Sequence, residues 1–338
     1  MIYGATGYTG SLIAREAVKR GERPILAGRN AEAVEALARE LGLEWRAFDL
    51  DKIDLSGVEL VLHCAGPFIH TSKPMVRACL DAGVHYVDIT GEIAVFEAIF
   101  RKNDEAVQRG VTLLPGAGFD VVPTDCLAAM LKERLPDANE LWLAFHTSKG
   151  GASRGTLKTS IEGLGLGGAI RRDGKIVVVP HLYDVREIPF SIGRRMAITI
   201  PWGDVSTAYQ TTGIPNIRAY MSMPPKTIKR ARLFKWALPL MNVRFLNRFV
   251  QRFVNKVEGP SAEMREQGRT YLWGRATNAK GEEATMTMTV REGYLFTVLS
   301  TLEAVREILS SPRRPGAFTP AKLLGADFVK RIDGTEIP

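Results

Sequence analysis

Two short stretches concentrate the side chains best suited to moving a proton. One runs His85-Tyr86-Val87-Asp88-Ile89-Thr90-Gly91-Glu92, the other Leu114-Pro115-Gly116-Ala117-Gly118-Phe119-Asp120-Val121-Val122-Pro123. Each sets carboxylates beside glycines, which let backbone and ligand approach closely. Asp88, Glu92 and Asp120 are candidates for orienting a substrate or relaying a proton, and Tyr86 for donating one through its hydroxyl. Carboxylates in such loops also cap helices or accept from backbone N–H groups, and that use stands beside the first. Each of the five histidines lacks a partner pattern, and His63 is expected in core packing or against a cofactor.

A third stretch binds rather than reacts. Gly4-Ala5-Thr6-Gly7-Tyr8-Thr9-Gly10 has the spacing GxxGxxG between a first strand and a first helix. Glycines there allow a sharp turn and close approach of a pyrophosphate, whose charge sits on the helix N-terminus. The strand–loop–helix context makes Gly4, Thr6, Gly7, Tyr8, Thr9 and Gly10 a dinucleotide-binding set. At the end of the second strand, where an NAD site carries Asp or Glu for the ribose 2′-hydroxyl, this chain has Gly28-Arg29-Asn30. A guanidinium there pairs with a 2′-phosphate, so NADP is favoured over NAD; the plainer role for Arg29 is a solvated loop charge. Asp49, closing the third strand, is placed for the adenine edge. Ala65-Gly66-Pro67, after the fourth, is placed for the nicotinamide side.

These residues need elements to hold them. Strands are expected at residues 1–3, 24–27, 45–48, 58–63, 84–87 and 111–114, and helices near 8–20, 31–41, 73–82 and 94–109. Gly21, Gly42, Gly83 and Gly110 follow the helices directly, as left-handed cap residues do. The alternation describes an α/β, Rossmann-type doubly wound parallel sheet, with the loops after its strands on one edge. Only three residues precede Gly4, fewer than an ordinary strand of about five or six; either the start lies upstream or the strand is short.

From residue 126 the texture changes to a second, α+β domain, a candidate for substrate binding and dimerisation. A helix is expected at 125–134, strands at 140–147, 175–180, 195–201, 271–276 and 283–290, and a hairpin turn at Ala279-Lys280-Gly281. Residues 150–168 are glycine-rich, and a helix is expected at 295–309. The resulting division is 1–125, 126–294 and a C-terminal helix and tail, 295–338, packing back on the first domain. Ser153-Arg154-Gly155-Thr156 opens a helix either as an anion cradle or as a simple cap, and Asp204 either faces a substrate or fixes a turn. Arg154, Thr156 and Asp204 are the substrate-binding candidates.

Composition and charge narrow the classes. The 338 residues are 45% hydrophobic and 24% charged, near globular averages, which excludes disorder and fibrous repeats. No apolar run reaches the length of a transmembrane helix, and the start carries no basic n-region or small-residue cleavage site. Cys64, Cys79 and Cys126 lack disulfide or zinc spacing, so no metal is expected and a reducing, cytoplasmic setting is indicated. The net charge of +8 is regional: nine basic residues and no acidic one lie between Lys226 and Lys256. Arg244, Arg248, Arg252 and Lys256 recur every four residues beside Phe245, Phe249 and Phe253. Residues 226–258 therefore form a basic amphipathic segment, suited to peripheral membrane contact or a lipid-binding cleft, or simply to an ordinary surface helix. No nucleic-acid-binding pattern accompanies the charge.

The chain resembles the saccharopine dehydrogenase-like oxidoreductases, a family that includes trans-acting enoyl reductases. The resemblance rests on GATGYTG (4–10), AGRN (27–30), AGPF (65–68), ACLDAGVHYVDITGE (78–92) and PGAGFDVVPTD (115–125), then SRGT (153–156), PWGDVSTAYQTTGIP (201–215) and GAFTPA (316–321). It implies a Rossmann domain, a second α+β substrate domain, NADP and, by resemblance alone, a homodimer. The leading expectation is an NADP(H)-dependent reductase of a hydrophobic or lipid-like enoyl or carbonyl substrate. Beside it stand a saccharopine-type amino- or imino-acid dehydrogenase and a non-catalytic NADP-binding protein.

Overall fold

The structure, a computed structural model, describes residues 1–149, 151, 153–157, 167–234 and 259–338. The chain divides into two compact units, Met1–Val122 with Tyr294–Gly325, and Pro123–Gly293 with Ala326–Pro338. The tail expected as one segment over 295–338 is thus shared between them at Gly325.

The first unit is a seven-stranded parallel sheet. Its strands are β1 (Ile2–Tyr3), β2 (Leu26–Gly28), β3 (Trp45–Ala47), β4 (Leu60–His63), β5 (His85–Asp88), β6 (Thr112–Leu114) and a last strand, Gly316–Ala317. They run in the order last–β6–β5–β4–β1–β2–β3, the doubly wound order with one strand added at the β6 edge. The short β1 is central, with Tyr3 opposite both Ala27 and His63. β4 and β5 are buried at every position, as strands are when helices cover both faces of the sheet. Tyr3, Met75, Cys79, Leu80, Tyr86 and Leu113 form the centre of that core, each no more than 1% exposed.

The helices are α1 (Tyr8–Lys19), α2 (Ala31–Leu41), α3 (Phe68–Ala82), α4 (Ile93–Phe100) and α5 (Asn103–Arg109). α2, α3 and α5 end on left-handed Gly42, Gly83 and Gly110, whereas α1 ends on Arg20, one residue before Gly21. The helix expected at 73–82 starts five residues earlier, at Phe68, with Pro74 inside it. The one expected at 94–109 is two helices, broken at Arg101-Lys102. A long helix, Gly293–Ser310, returns to this unit and buries Phe296, Thr297, Ser300, Thr301 and Ala304.

The second unit is an eight-stranded mixed sheet. It contains β7 (Glu140–Thr147), β8 (Gly168–Arg172), β9 (Lys175–Val179), β10 (Val185–Phe190), β11 (Gly193–Ile200), β12 (Asn216–Ser222), β13 (Arg269–Thr277) and β14 (Glu283–Arg291). The main path is β10–β11–β12–β7–β13–β14, with the β8–β9 hairpin joined to β12. The sequence reading missed β8, β10 and β12. The β13–β14 turn does fall at Ala279-Lys280-Gly281. One sheet face takes the helix Val122–Arg134, whose Leu127 and Leu131 sit so close to Gly274 that a Cβ there would meet Leu131 at 2.7 Å. The opposite face gathers Trp142, Ala144, Ile188, Phe190, Tyr220 and Trp273. Residues 235–258, which hold most of the expected basic amphipathic segment including Arg244, Arg248 and Arg252, lie outside the described residues. Among the described residues no helix is long and apolar enough to cross a membrane.

Candidate functional site

The glycine loop is shaped by contacts that leave no room for side chains. Gly4 adopts φ +84°, and a Cβ on it would lie 2.8 Å from the Ala65 nitrogen; on Gly10 it would lie 2.3 Å from the Gly4 carbonyl oxygen. The loop after β1 is thereby pressed against both α1 and the loop after β4. Gly7 caps α1 without a side-chain hydrogen bond, and no acidic residue occupies the first turn. That leaves first-turn N–H groups and the positive helix end for an anion, which is the cradle a dinucleotide pyrophosphate requires.

Arg29 lies just past β2, exposed and with no ion pair among the described residues. Its neighbour Asn30 instead caps α2 by accepting from the Ala33 N–H at 3.0 Å. Asp49 is exposed beyond β3, and both it and Arg29 act electrostatically on the Tyr3 phenol, Asp49 raising its pKa and Arg29 lowering it, with burial the largest cause of its net rise. The ends of the first three strands therefore converge on one polar corner. After β4, Cys64 to Pro67 leads through a cis Gly66–Pro67 bond into α3.

Below that loop lies His63, fully buried, stacked on Tyr3 and edge-on to Phe68. Its Nε2 is 2.9 Å from the Thr71 hydroxyl, and that hydroxyl donates to the Ala65 carbonyl at 2.6 Å. With the Thr71 proton so engaged, Nε2 must carry the imidazole hydrogen. Burial drives the imidazole pKa down to about 3, so the ring is neutral and structural, as expected of a core histidine.

The four acid–base candidates separate into two kinds. Asp88, fully buried, accepts from the Tyr86 hydroxyl at 2.7 Å, the Thr90 N–H at 3.0 Å and the Gly116 N–H at 2.8 Å. Its own carbonyl accepts from the Ala117 N–H at 2.8 Å. Asp88 thus staples the loop after β5 to the loop after β6. Burial lifts its pKa to about 6, against the opposing pull of those hydrogen bonds. Tyr86 is equally buried and its proton is engaged inside this staple, so the hydroxyl is not presented at the sheet edge. Glu92 accepts from the N–H groups of Phe68 and Ile69, both at 2.7 Å, and so closes the N-terminus of α3.

Asp120 is different. It is partly exposed, lies against Gly91 so closely that a Cβ there would come within 2.6 Å of its Oδ2, and has no hydrogen-bond or ion-pair partner among the described residues. Loss of solvation alone lifts its pKa to about 7. A carboxyl that titrates near neutrality on the ligand-binding edge of an α/β sheet is suited to general acid–base work.

The loop carrying Asp120 is held by residues that sequence reasoning passed over. The Phe119 N–H donates to the Thr297 hydroxyl at 3.0 Å, and Ser300 donates to the Ala117 carbonyl at 2.8 Å. The available signal was the set of hydroxyls, Thr297, Ser300 and Thr301, in the otherwise apolar first half of the helix. In the second unit, Arg154 and Thr156 are exposed at the start of a short helical turn where the Ser153 hydroxyl accepts from the Thr156 N–H at 3.3 Å. Asp204 is buried at the first turn of the helix Asp204–Thr212.

Residues 1–114 match the family described as saccharopine dehydrogenase NADP binding domain. A human protein named saccharopine dehydrogenase-like oxidoreductase is 25% identical over 98% of this chain and 92% of its own length. Its mouse namesake is 29% identical over 51% of this chain and 47% of its own. A trans-acting enoyl reductase of Mycobacterium bovis (strain BCG / Pasteur 1173P2) is 31% identical over 40% of this chain and 35% of its own. The chain thus spans half or less of the mouse and mycobacterial relatives it matches. Among solved structures, apo saccharopine dehydrogenase (L-Glu forming) from Saccharomyces cerevisiae superposes with a TM-score of 0.64 at 12% identity, over 98% of this chain and 95% of that one. That is a likeness of fold.

Proposed function

From the match of residues 1–114 to the saccharopine dehydrogenase NADP binding domain, we propose that this chain is an NADP(H)-dependent oxidoreductase that reduces a hydrophobic enoyl or carbonyl substrate. NADPH, when bound, supplies the hydride. The chain's own residues do the rest. The loop Gly4–Gly10 and the first turn of α1 seat the pyrophosphate, and Arg29 pairs with the 2′-phosphate. Asp120 delivers a proton to the atom next to the one that receives hydride, directly or through water. Asp88 and Glu92 keep the two loops and α3 fixed around it.

The observation that carries this reading is the unpartnered Asp120 carboxyl, raised to about 7, in the same unit as a loop that only glycines can form. The test is a titration with NADPH and NADH, followed by an acceptor screen with enoyl and acyl thioesters. NADPH is expected to bind at least about tenfold tighter than NADH, and Arg29→Ala to erase the difference. Equal binding by the wild type sinks the Arg29 assignment, and no oxidation of NADPH by any acceptor leaves a binding protein.

The lipid-like character of the substrate is supported by the enoyl-reductase name of the mycobacterial relative and by the helix Pro225–Phe234. That helix carries Lys226, Lys229, Arg230 and Arg232, and Leu233 beside them is 70% exposed. Sedimentation with anionic vesicles tests the peripheral membrane contact: reversing Lys229, Arg230 and Arg232 to Glu should release the protein. An amino- or imino-acid substrate remains the second reading because Arg154 is exposed and free of ion pairs among the described residues. Arg154→Ala would then raise KM with little change in kcat. A homodimer is part of the proposal, and sedimentation velocity would test it.

A further inference from the structure

The mixed sheet of the second unit carries a polar cleft that the reductase reading does not use. Its volume is about 390 Å³, and its walls include Trp142, Arg186, Trp273, Arg275, Glu283 and Thr285. That volume falls in the range of small-molecule sites. Strand register builds it. Arg218 on β12 and Arg275 on β13 lie directly opposite Trp142 on β7. The guanidinium carbons of Arg186 and Arg275 each sit 3.9 Å from the Trp142 ring centroid, and that of Arg218 sits 5.6 Å away. A tryptophan framed by three cations is a strong local attraction for electron-rich groups.

The hydrogen-bonding demand of this cleft is one-sided. Trp142 and Trp273 are 7% and 5% exposed. Their indole N–H groups, and the Nε–H of Arg275, are buried and find no acceptor among the described residues. Such donors are nearly always matched in folded proteins, so three in one wall mark a place where an acceptor belongs. No acceptor atom in the same wall is left unmatched in that way.

The charges already present say how an acceptor would enter. Arg186 is held by Asp184 at 2.5 Å, and Arg218 by Asp184 and Glu140 at 3.4 and 3.7 Å. Glu187, also in the wall, faces Arg194 at 3.4 Å. Among the described residues Arg275 is held only by Glu283, at 3.1 Å, and the Glu283 side chain is 46% exposed. An exposed ion pair of this kind is weak and easily exchanged. We propose that the cleft binds the oxyanion of a small metabolite, a carboxylate or a phosphate, which accepts from Trp142, Trp273 and Arg275 and takes the place of Glu283 on the guanidinium.

The sign of one substitution sets this apart from a purely structural cluster. Glu283→Gln removes the resident competitor and should tighten binding about tenfold, whereas Arg275→Met and Trp273→Phe should weaken it by a similar factor. The experiment titrates the full chain with inorganic phosphate and, separately, with citrate, following tryptophan fluorescence and heat. Saturable binding at about millimolar concentration or below is expected for one of them, and which one binds identifies the oxyanion. Glu283→Gln changes an exposed side chain and keeps the test decisive should Arg275→Met fail to fold. No saturable binding by wild type and Glu283→Gln, or binding indifferent to Glu283→Gln, overturns the proposal. NADPH titration of the same variants should be unchanged, which keeps this outcome separate from the cofactor reading.

Discussion

Asp120 is the residue on which the proposed chemistry turns, and its raised pKa has consequences that can be signed. If it donates the proton in reduction, it acts only while protonated, so wild-type turnover should fall as pH rises through about 7. Asp120→Asn should lower kcat roughly 100-fold or more and remove that limb, as a pH–rate profile would reveal. The same substitution should raise stability. Because the folded-state pKa lies above the ordinary carboxylate value of 3.8, folding favours the neutral form. The resulting penalty is absent below about pH 4, grows as pH rises, and is complete above about pH 7. Thermal melts of Asp120→Asn should therefore match wild type at about pH 3.5 and run a few degrees higher at about pH 8. The sequence exposed this residue through its glycine-rich loop. It could not separate Asp120 from Asp88 and Glu92, because that distinction lies in partners: Gly116 for Asp88 is 28 positions away, and Phe68 for Glu92 is 24.

The same distance effect governs the elements. Helix α3 begins before its expected start because the N–H groups of its first turn are satisfied by Glu92 rather than by a local cap. Pro74, next to the expected start at residue 73, lies inside the helix. Glu92→Gln should weaken the anchoring of α3 and cost about 1–2 kcal/mol by urea unfolding, while leaving the midpoint of the pH–rate profile in place. A shifted midpoint would instead give Glu92 a direct part in proton transfer. The glycine loop was legible, spacing included, since its requirements are local. Gly10→Ala, which would drive a methyl into the Gly4 carbonyl, should cost about 1–3 kcal/mol and abolish NADPH binding. The strands β8, β10 and β12 were missed for a different reason. Their residues mix arginine, glutamate and asparagine with aliphatics, and their extended form is imposed by neighbours such as β7 and β11 rather than by their own pattern.

At the scale of the whole molecule, the chain passes between its two units three times, at Val122, Gly293 and Gly325. The parallel sheet with its strand order was readable because repeated strand–helix units admit few topologies. The last strand was not, because Gly316–Ala317 is two residues long and acquires meaning only beside Thr112 and Leu113. The final thirteen residues test the division. Phe328, Val329 and Ile332 are buried, and Glu336 bridges to Thr289 in β14. Removing residues 326–338 should destabilise the second unit by several kcal/mol while leaving NADPH affinity unchanged, a separation that differential scanning calorimetry with and without NADPH would resolve.

The hydrogen bond from Phe119 to Thr297 joins positions 178 apart in the chain. During synthesis the glycine loop and its supporting strands leave the ribosome long before the helix that steadies Asp120. A nascent chain should accordingly acquire its capacity for NADPH well ahead of its capacity for turnover. If the proposed reaction holds, ribosome-bound fragments ending shortly after residue 150 should bind the nucleotide yet show no turnover, because the helix that holds the Asp120 loop has not been made.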